Sequence, residues 1–142
     1  MTKTKEVMLA LRDVVVAAGI PSANMKVGVP ASLTGNVTGF ITIGPQPNAS
    51  KTTQTFVRRP RFLVILGYFV QAAEQAAEEQ IADHLDNIVA KMYEDRTLGG
   101  MINSLFLDLS GADAPEYRIY AGRMYRLYPI IVEVTWQEHY GS

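Results

Sequence analysis

The chain has no cysteine, two histidines and one tryptophan in 142 residues. Without cysteine there is no disulfide, no thiolate zinc site and no cysteine nucleophile, although that absence alone does not establish a reducing compartment. Neither sign of charge is in excess. Lys and Arg number 13 against 14 Asp and Glu, for a net charge of −1, so no global field draws the protein to nucleic acid and such binding needs a local patch. There is no run of about 18 apolar residues to span a bilayer. The opening stretch MTKTKEVMLALRD carries Lys3 and Lys5, but Glu6, Arg12 and Asp13 interrupt its short apolar segment, which does not fit a cleaved secretion signal. The expectation is a soluble chain, made and folded in the cytoplasm. What is present, 48% hydrophobic and 19% charged residues, is a globular balance. The length fits a single domain, residues 1–142, able to bury roughly two thirds of its unfolded surface.

From Lys3 to Ala18, the residues Val7, Met8, Leu11, Val14, Val15 and Ala18 recur at three and four, which predicts a helix stopped by Gly19 and Pro21. Ser22 to Ser32 holds turn-formers without a period. Gly35 to Gly44 reads as a first strand. GPQPNASKTTQT then packs more turn residues than a tight hairpin needs and predicts a long polar loop, Pro45 to Thr55. In RRPRFLVILGYFV, Phe62, Val64, Leu66 and Tyr68 share one face while Leu63 and Ile65 take the other, as in a covered or central strand with Pro60 near its start. Gln71 to Tyr93 carries Ala73, Ala77, Ile81, Leu85, Ile88 and Met92 at helical spacing, with acidic residues crowded toward its start and Lys91 near its end. Met101 to Leu109 alternates as a half-buried strand, with a short helix as the alternative. EYRIYAGRMYRLYPIIVEVTW reads as two strands, or one bent strand, turning at Ala121-Gly122. Pro129 suggests an edge or a bulge. There is no internal repeat. This order predicts an α+β fold, a mostly antiparallel sheet covered by two main helices, with the long polar loop in the first hairpin.

Chemistry is thinly represented. His84 and His139 lie on different elements without HExxH spacing, so no metal site is expected; His84 borders the helix stripe and His139 belongs to the tail. The carboxylates Glu74, Glu78, Glu79, Asp83 and Asp86 fit a solvated helix face better than an acid/base pair. PASLTG lacks the GK[ST] ending of a phosphate loop, and there is no GxSxG elbow. No catalytic residue and no cofactor is expected. Two basic stretches remain: Arg58, Arg59 and Arg61 beside Phe56 and Phe62, and Arg118, Arg123 and Arg126 interleaved with Tyr117, Tyr120, Tyr125 and Tyr128. Arginine beside exposed aromatics holds phosphate and stacks bases on sheet-based single-strand binders. The alternative places the aromatics inward and the arginines outward, toward acidic neighbours or another subunit.

DRTLGGMINSLFLDLSG, after the second helix, places Thr97, Leu98, Gly99 and Gly100 in a structural turn. Gly99 is expected to take a positive φ, Gly100 to allow close backbone approach, and Leu98 to fold back on the helix. The helix AEQAAEEQIADHLDNIVAKMYEDR, the TLGG that follows and the closing YRLYPIIVEV resemble the tail terminator, or tail completion, proteins of long-tailed bacteriophages, over about Arg58 to Thr135. That resemblance implies a small α+β subunit of a ring, commonly a hexamer, in the virion at the head-proximal end of the tail tube. It implies that the ring stops tube polymerisation and presents the surface that joins the head. The implied partners are further copies of itself, the tail tube protein, a head-completion or neck protein, and DNA passing through the lumen without sequence-specific binding. No membrane and no covalent chemistry are implied. Other head-tail connector, neck or head-closure proteins share the same scale and purpose. On this reading, Pro45, Gln46, Pro47, Asn48, Lys51 and Gln54 form a docking loop, and Arg58, Arg59 and Arg61 serve an oligomer or lumen interface. A nucleic-acid-binding module using the Arg/Tyr strands is the alternative from another class, and an enzyme lacks a nominated substrate.

Overall fold

The helical spacing at the start of the chain does make a helix, α1 (Lys3–Ala17), which buries Val7, Met8, Leu11 and Val15. The Thr2 hydroxyl caps it by accepting from the Lys5 N–H, satisfying one of the amides that a helix start leaves unpaired. The computed structural model describes residues 2–31, 33, 35–44, 50–52, 55–70, 74–110 and 116–139, with the backbone alone for 50–52, 55–56, 74–76 and 139. After α1 come a single 3-10 turn, Ser22–Asn24, and the strands β1 (Met25–Val27), β2 (Val37–Ile43), β3 (Ser50–Thr52), β4 (Thr55–Arg58) and β5 (Arg61–Phe69). Then follow α2 (Glu74–Glu94), β6 (Ser104–Asp108), β7 (Glu116–Tyr120) and β8 (Arg123–His139).

The sheet has the order β1-β2-β5-β8-β4-β3, with β6 and β7 also paired to β8. Every pairing is antiparallel except β1 with β2. The architecture is therefore α+β, as the residue patterns imply. β8 is the spine: its 17 residues reach roughly 55 Å if fully extended, and no single partner matches that length. On one flank it pairs with β5 and then β4. On the other it pairs with β7 and then β6.

Both helices lie on one face of this sheet. Their buried residues join Ile41, Phe62, Val64, Leu66, Tyr68, Leu105, Leu107, Ile130, Val132, Val134 and Trp136 in one core. Each large side chain so buried contributes about 1.5–3 kcal/mol of transfer free energy. The opposite face carries a smaller cluster of Leu33, Phe40, Tyr125 and Leu127, over which the chain before β2 is tied by the Tyr125 hydroxyl donating to the carbonyls of Leu33 (3.3 Å) and Gly35 (2.9 Å). Beyond that cluster the face is open: Leu63, Ile65, Pro129 and Ile131 are half-buried, and Phe106 is 58% exposed.

Several expectations need correction. The first hairpin, β2 with β5, does not enclose a loop throughout, because part of Pro45 to Thr55 is the β3–β4 ribbon paired to the end of β8; residues 45–49 and 53–54 lie outside the described set. Arg58 to Val70 is not one strand. Pro60 breaks it into β4 and β5 while its carbonyl accepts from Val134 N–H at 3.0 Å, so both pieces stay on β8. Pro129 is not on an outer strand of the sheet; it faces Ile65 in the central ladder, and the edge it signals is a local one on its other flank. The bond from Val70 N–H to the Met124 carbonyl and that from Asn103 N–H to the Thr135 carbonyl fix the ladder's phase. Even-numbered β8 residues bond toward β5, and odd-numbered ones toward β6 and β7. The proline's missing N–H thus faces the gap where β7 has ended, opposite Leu127, and β6 has yet to begin, opposite Ile131. That gap is a local edge, where proline costs no ladder bond. His139 is the last residue of β8 rather than tail, and β1 lies in the Ser22 to Ser32 stretch, whose turn-formers and lack of a period predict no strand.

Candidate functional site

The turn after α2 is built by Asp95. Its carboxylate accepts from Gly99 N–H (2.7 Å), Thr97 Oγ1–H (3.0 Å) and Thr97 N–H (3.3 Å), and the Thr97 hydroxyl accepts from Gly100 N–H at 3.1 Å. The Gly99 amide, followed by the Thr97 hydroxyl, holds the Asp95 carboxyl below the usual carboxylate range. Leu98, Gly99 and Gly100 all take left-handed φ values, 50°, 69° and 87°. A Cβ on Gly99 or Gly100 meets nothing within 4 Å, so the need for glycine at both is conformational and not close approach as expected for Gly100. Leu98 does fold back and packs against the main core.

This turn delivers Arg96 to β6. Its guanidinium donates to the Leu105 carbonyl from Nε (3.3 Å) and Nη2 (3.1 Å) and lies 5.4 Å from the Tyr93 ring centroid. The Tyr93 hydroxyl accepts from Leu107 N–H at 2.9 Å. The ladder's phase turns the backbone of Leu105 and Leu107 away from β8, so these side chains close the free edge of β6. At β1, the Arg12 Nε donates to the Met25 carbonyl at 2.9 Å. Nothing in the sequence marked Arg12, Tyr93 or Arg96; the only available signal was an arginine beside a helix end or on a helix face.

The three expected interface arginines do not form one patch. Arg58 pairs with Glu138 at 3.2 Å and lies 5.3 Å from the Trp136 ring centroid, on the helix side. Arg61 pairs with Glu133 at 3.3 Å on the opposite face. Arg59, between them, is exposed. Trp136 is the hub here: its Nε1–H donates to Glu138 at 2.7 Å, and Lys3, which donates to the Met101 carbonyl, lies 6.0 Å from its ring centroid. Of the expected docking residues, Pro45, Gln46, Pro47, Asn48 and Gln54 lie outside the described residues, and Lys51 is the middle residue of β3.

The Arg/Tyr strands split as well. Arg126 is inward, 6% exposed, with Nε donating to Glu78 of α2 at 2.8 Å. Tyr125 is fully buried on the other side. Arg123 stacks 3.9 Å from the Phe69 ring centroid and donates to Asn36, while Arg118 pairs with Glu116 at 3.1 Å. Inward aromatics alternating with outward arginines therefore fails at Arg126, and a base-stacking row lacks Tyr125. The open face holds a shallow cavity of about 170 Å³ lined by Val29, Phe40, Ile65, Leu127 and Pro129, with Glu116, Arg118 and Tyr120 at one side.

His84 lies against Tyr68: the hydroxyl is 2.9 Å from Nδ1 and the rings stack at 5.7 Å. Burial lowers the His84 pKa, opposed by the charge of Asp83, and burial pushes the Tyr68 hydroxyl up. A neutral imidazole accepting from the tyrosine fits both shifts. Among the described residues no three His, Asp or Glu side chains gather as a metal site, and no helix is long and apolar enough to cross a membrane.

No family model matches the chain, and no curated protein does.

Proposed function

We propose that this chain is a tail terminator subunit of a long-tailed bacteriophage or prophage. Copies form a ring, a hexamer by the resemblance, on the head-proximal end of the tail tube, stop tube growth and present the surface to which the head or its neck protein joins. DNA passes through the lumen without being read, and the work is noncovalent. The supporting observation is the succession of α2, the Asp95–Gly100 turn and the closing β6–β8 region, which occupies the stretch that carries the resemblance. A helix-covered face opposite an open one also suits a subunit that must fold alone and then bury more surface.

Purified protein is to be incubated with purified tail tubes during tube-protein polymerisation, with tube ends imaged and lengths recorded. The reading expects a ring on one end and arrested growth. Uncapped tubes of unrestricted length contradict it and point to a head-side connector. Deleting residues 45–49 is expected to abolish tail joining, and normal joining removes the docking role. Charge reversal at Arg59 leaves the Arg58–Glu138 and Arg61–Glu133 pairs intact and tests the lumen or interface role; unchanged ring formation and DNA passage remove it.

A further inference from the structure

We propose that β7 is the acceptor edge of a strand joint between copies of this chain, and that the strand it accepts is β3 of the neighbouring copy. The inference deepens the ring reading and rests on it for the identity of the partner. An unpaired strand edge offers N–H and C=O groups at strand spacing, so the ligand that fits it is another extended strand. The four strands that end the sheet differ in whether that offer stands. At β6 the Leu105 carbonyl and Leu107 N–H are taken by Arg96 and Tyr93, and at β1 the Met25 carbonyl is taken by Arg12.

β7 has no such cover. Its pairs Glu116–Leu127, Arg118–Tyr125 and Tyr120–Arg123 use the even-numbered residues for bonding to β8. The N–H and C=O of Tyr117 and Ile119 therefore point outward, and Glu116 to Ile119 are all exposed, Ile119 at 67%. Among the described residues no side chain bonds to those outward groups. At the other end of the sheet, β3 pairs only with β4, and the same phase turns the Lys51 backbone to the outer edge.

The placement of these two edges selects a head-to-tail joint. β7 borders the first residues of β8, while β3 is reached through β4 from its last residues, on the opposite flank. The edges consequently face away from each other, and one copy cannot pair them internally. Sense agrees too: β3 runs parallel to β8, and β7 runs antiparallel to it. When neighbouring copies keep their β8 strands running the same way, β3 meets β7 antiparallel, the better-bonded arrangement. A joint between two different surfaces repeats around an axis, giving a ring where the rotation closes and an open helical filament where it does not; the ring reading requires the first. β3 has only 3 residues, so a single joint is weak and favours assembly on a template such as a tube end.

The chain's lack of cysteine makes the test direct. Lys51→Cys is combined with Tyr117→Cys and, separately, with Ile119→Cys; each double variant and each single variant is oxidised in concentrated solution and on tube ends, then resolved without reductant. The expected result is a ladder of covalent multimers from at least one double variant and monomer from the single variants. Predominant dimers from Tyr117→Cys or Ile119→Cys alone overturn the proposal in favour of β7 pairing with itself. Capped tubes without a ladder overturn the joint and leave the terminator reading standing; a ladder without capping does the reverse, and neither overturns both. As a second variant, Ile119→Pro removes an outward N–H and spares the β7–β8 ladder. It is expected to weaken assembly at least tenfold with unchanged monomer circular dichroism, and undiminished assembly overturns the joint.

Discussion

β6 and β7 lie on the same flank of β8, and one is closed where the other is open. β6 has Leu105 and Leu107 in the main core and its outer backbone bonded by Arg96 and Tyr93. β7 is exposed along most of its length, and among the described residues no side chain bonds its outer backbone. Both are 5-residue strands paired to the same partner, so neither length nor β8 accounts for the contrast. The difference is what precedes each strand: β6 follows a long helix and a rigid turn that brings an arginine and a tyrosine to its edge. An edge that is left open beside one on the same flank that is covered is a place for another chain.

The largest expected effect separates the strands by stability. Leu105→Ala costs about 2–5 kcal/mol through cavity formation, whereas Ile119→Ala stays within about 0.5 kcal/mol; denaturant unfolding of the two variants checks both, and similar losses would erase the distinction. Next, Glu78→Ala removes the carboxylate partner of the inward Arg126 guanidinium, leaving it the Leu127 carbonyl, and costs about 1–3 kcal/mol by the same measurement. Such a loss would show that the β7 end of β8 is anchored from α2 although β7 itself is not. The turn that closes β6 is tested by Gly99→Ala, which places a Cβ at φ 69° and costs about 1–2 kcal/mol. The turn that joins β7 to β8 is tested in the opposite direction. Ala121 and Gly122 have φ values of 51° and 76°, which suits a two-residue turn with both central residues left-handed. Ala121→Asn relieves the alanine and is expected to raise stability by up to about 1 kcal/mol, seen as a higher melting temperature.

The smallest effect concerns pH and belongs to the covered side. The His84 pKa is lowered in the fold, so the unfolded chain binds the proton more readily. Stability is full above the unfolded value of about 6.5 and falls as the pH drops from there toward the folded value. His84→Asn should flatten that acid limb between about pH 7 and pH 5 in melting experiments. A limb unchanged by the substitution would assign it elsewhere.

Most of the covered side was legible in the sequence, as was the corner between β7 and β8. Alternation in Phe62–Tyr68, spacing of three and four in both helices and the Ala121-Gly122 corner each follow from one element's own period, and each is present. What escaped depends on partners distant in sequence. β1 is a 3-residue strand, too short to show a period, and its neighbour β2 lies beyond a turn-rich stretch. β3 sits among Thr, Gln and Lys, whose pattern is that of a loop until β8 proves long enough to pair with β4. Pro129 signalled an edge because a single sequence does not reveal that β8 changes partner at that residue. Among the site residues, the turn at Thr97–Gly100 was visible as glycine after a helix. The Arg58–Glu138 and Arg126–Glu78 pairs were not, since 80 and 48 residues separate the partners.

Hydrogen exchange at individual backbone amides, measured on free monomer and on assembled protein, tests the central contrast most directly. In the monomer, Leu107 is expected to be protected by Tyr93 while Tyr117 and Ile119 exchange at nearly the rate of an unstructured chain. On assembly, protection of Tyr117 and Ile119 should rise sharply and that of Leu107 should change little. Tyr117 and Ile119 amides that are already protected in the monomer, or remain unprotected in the assembled ring, would contradict the account of β7 as the open edge through which copies join.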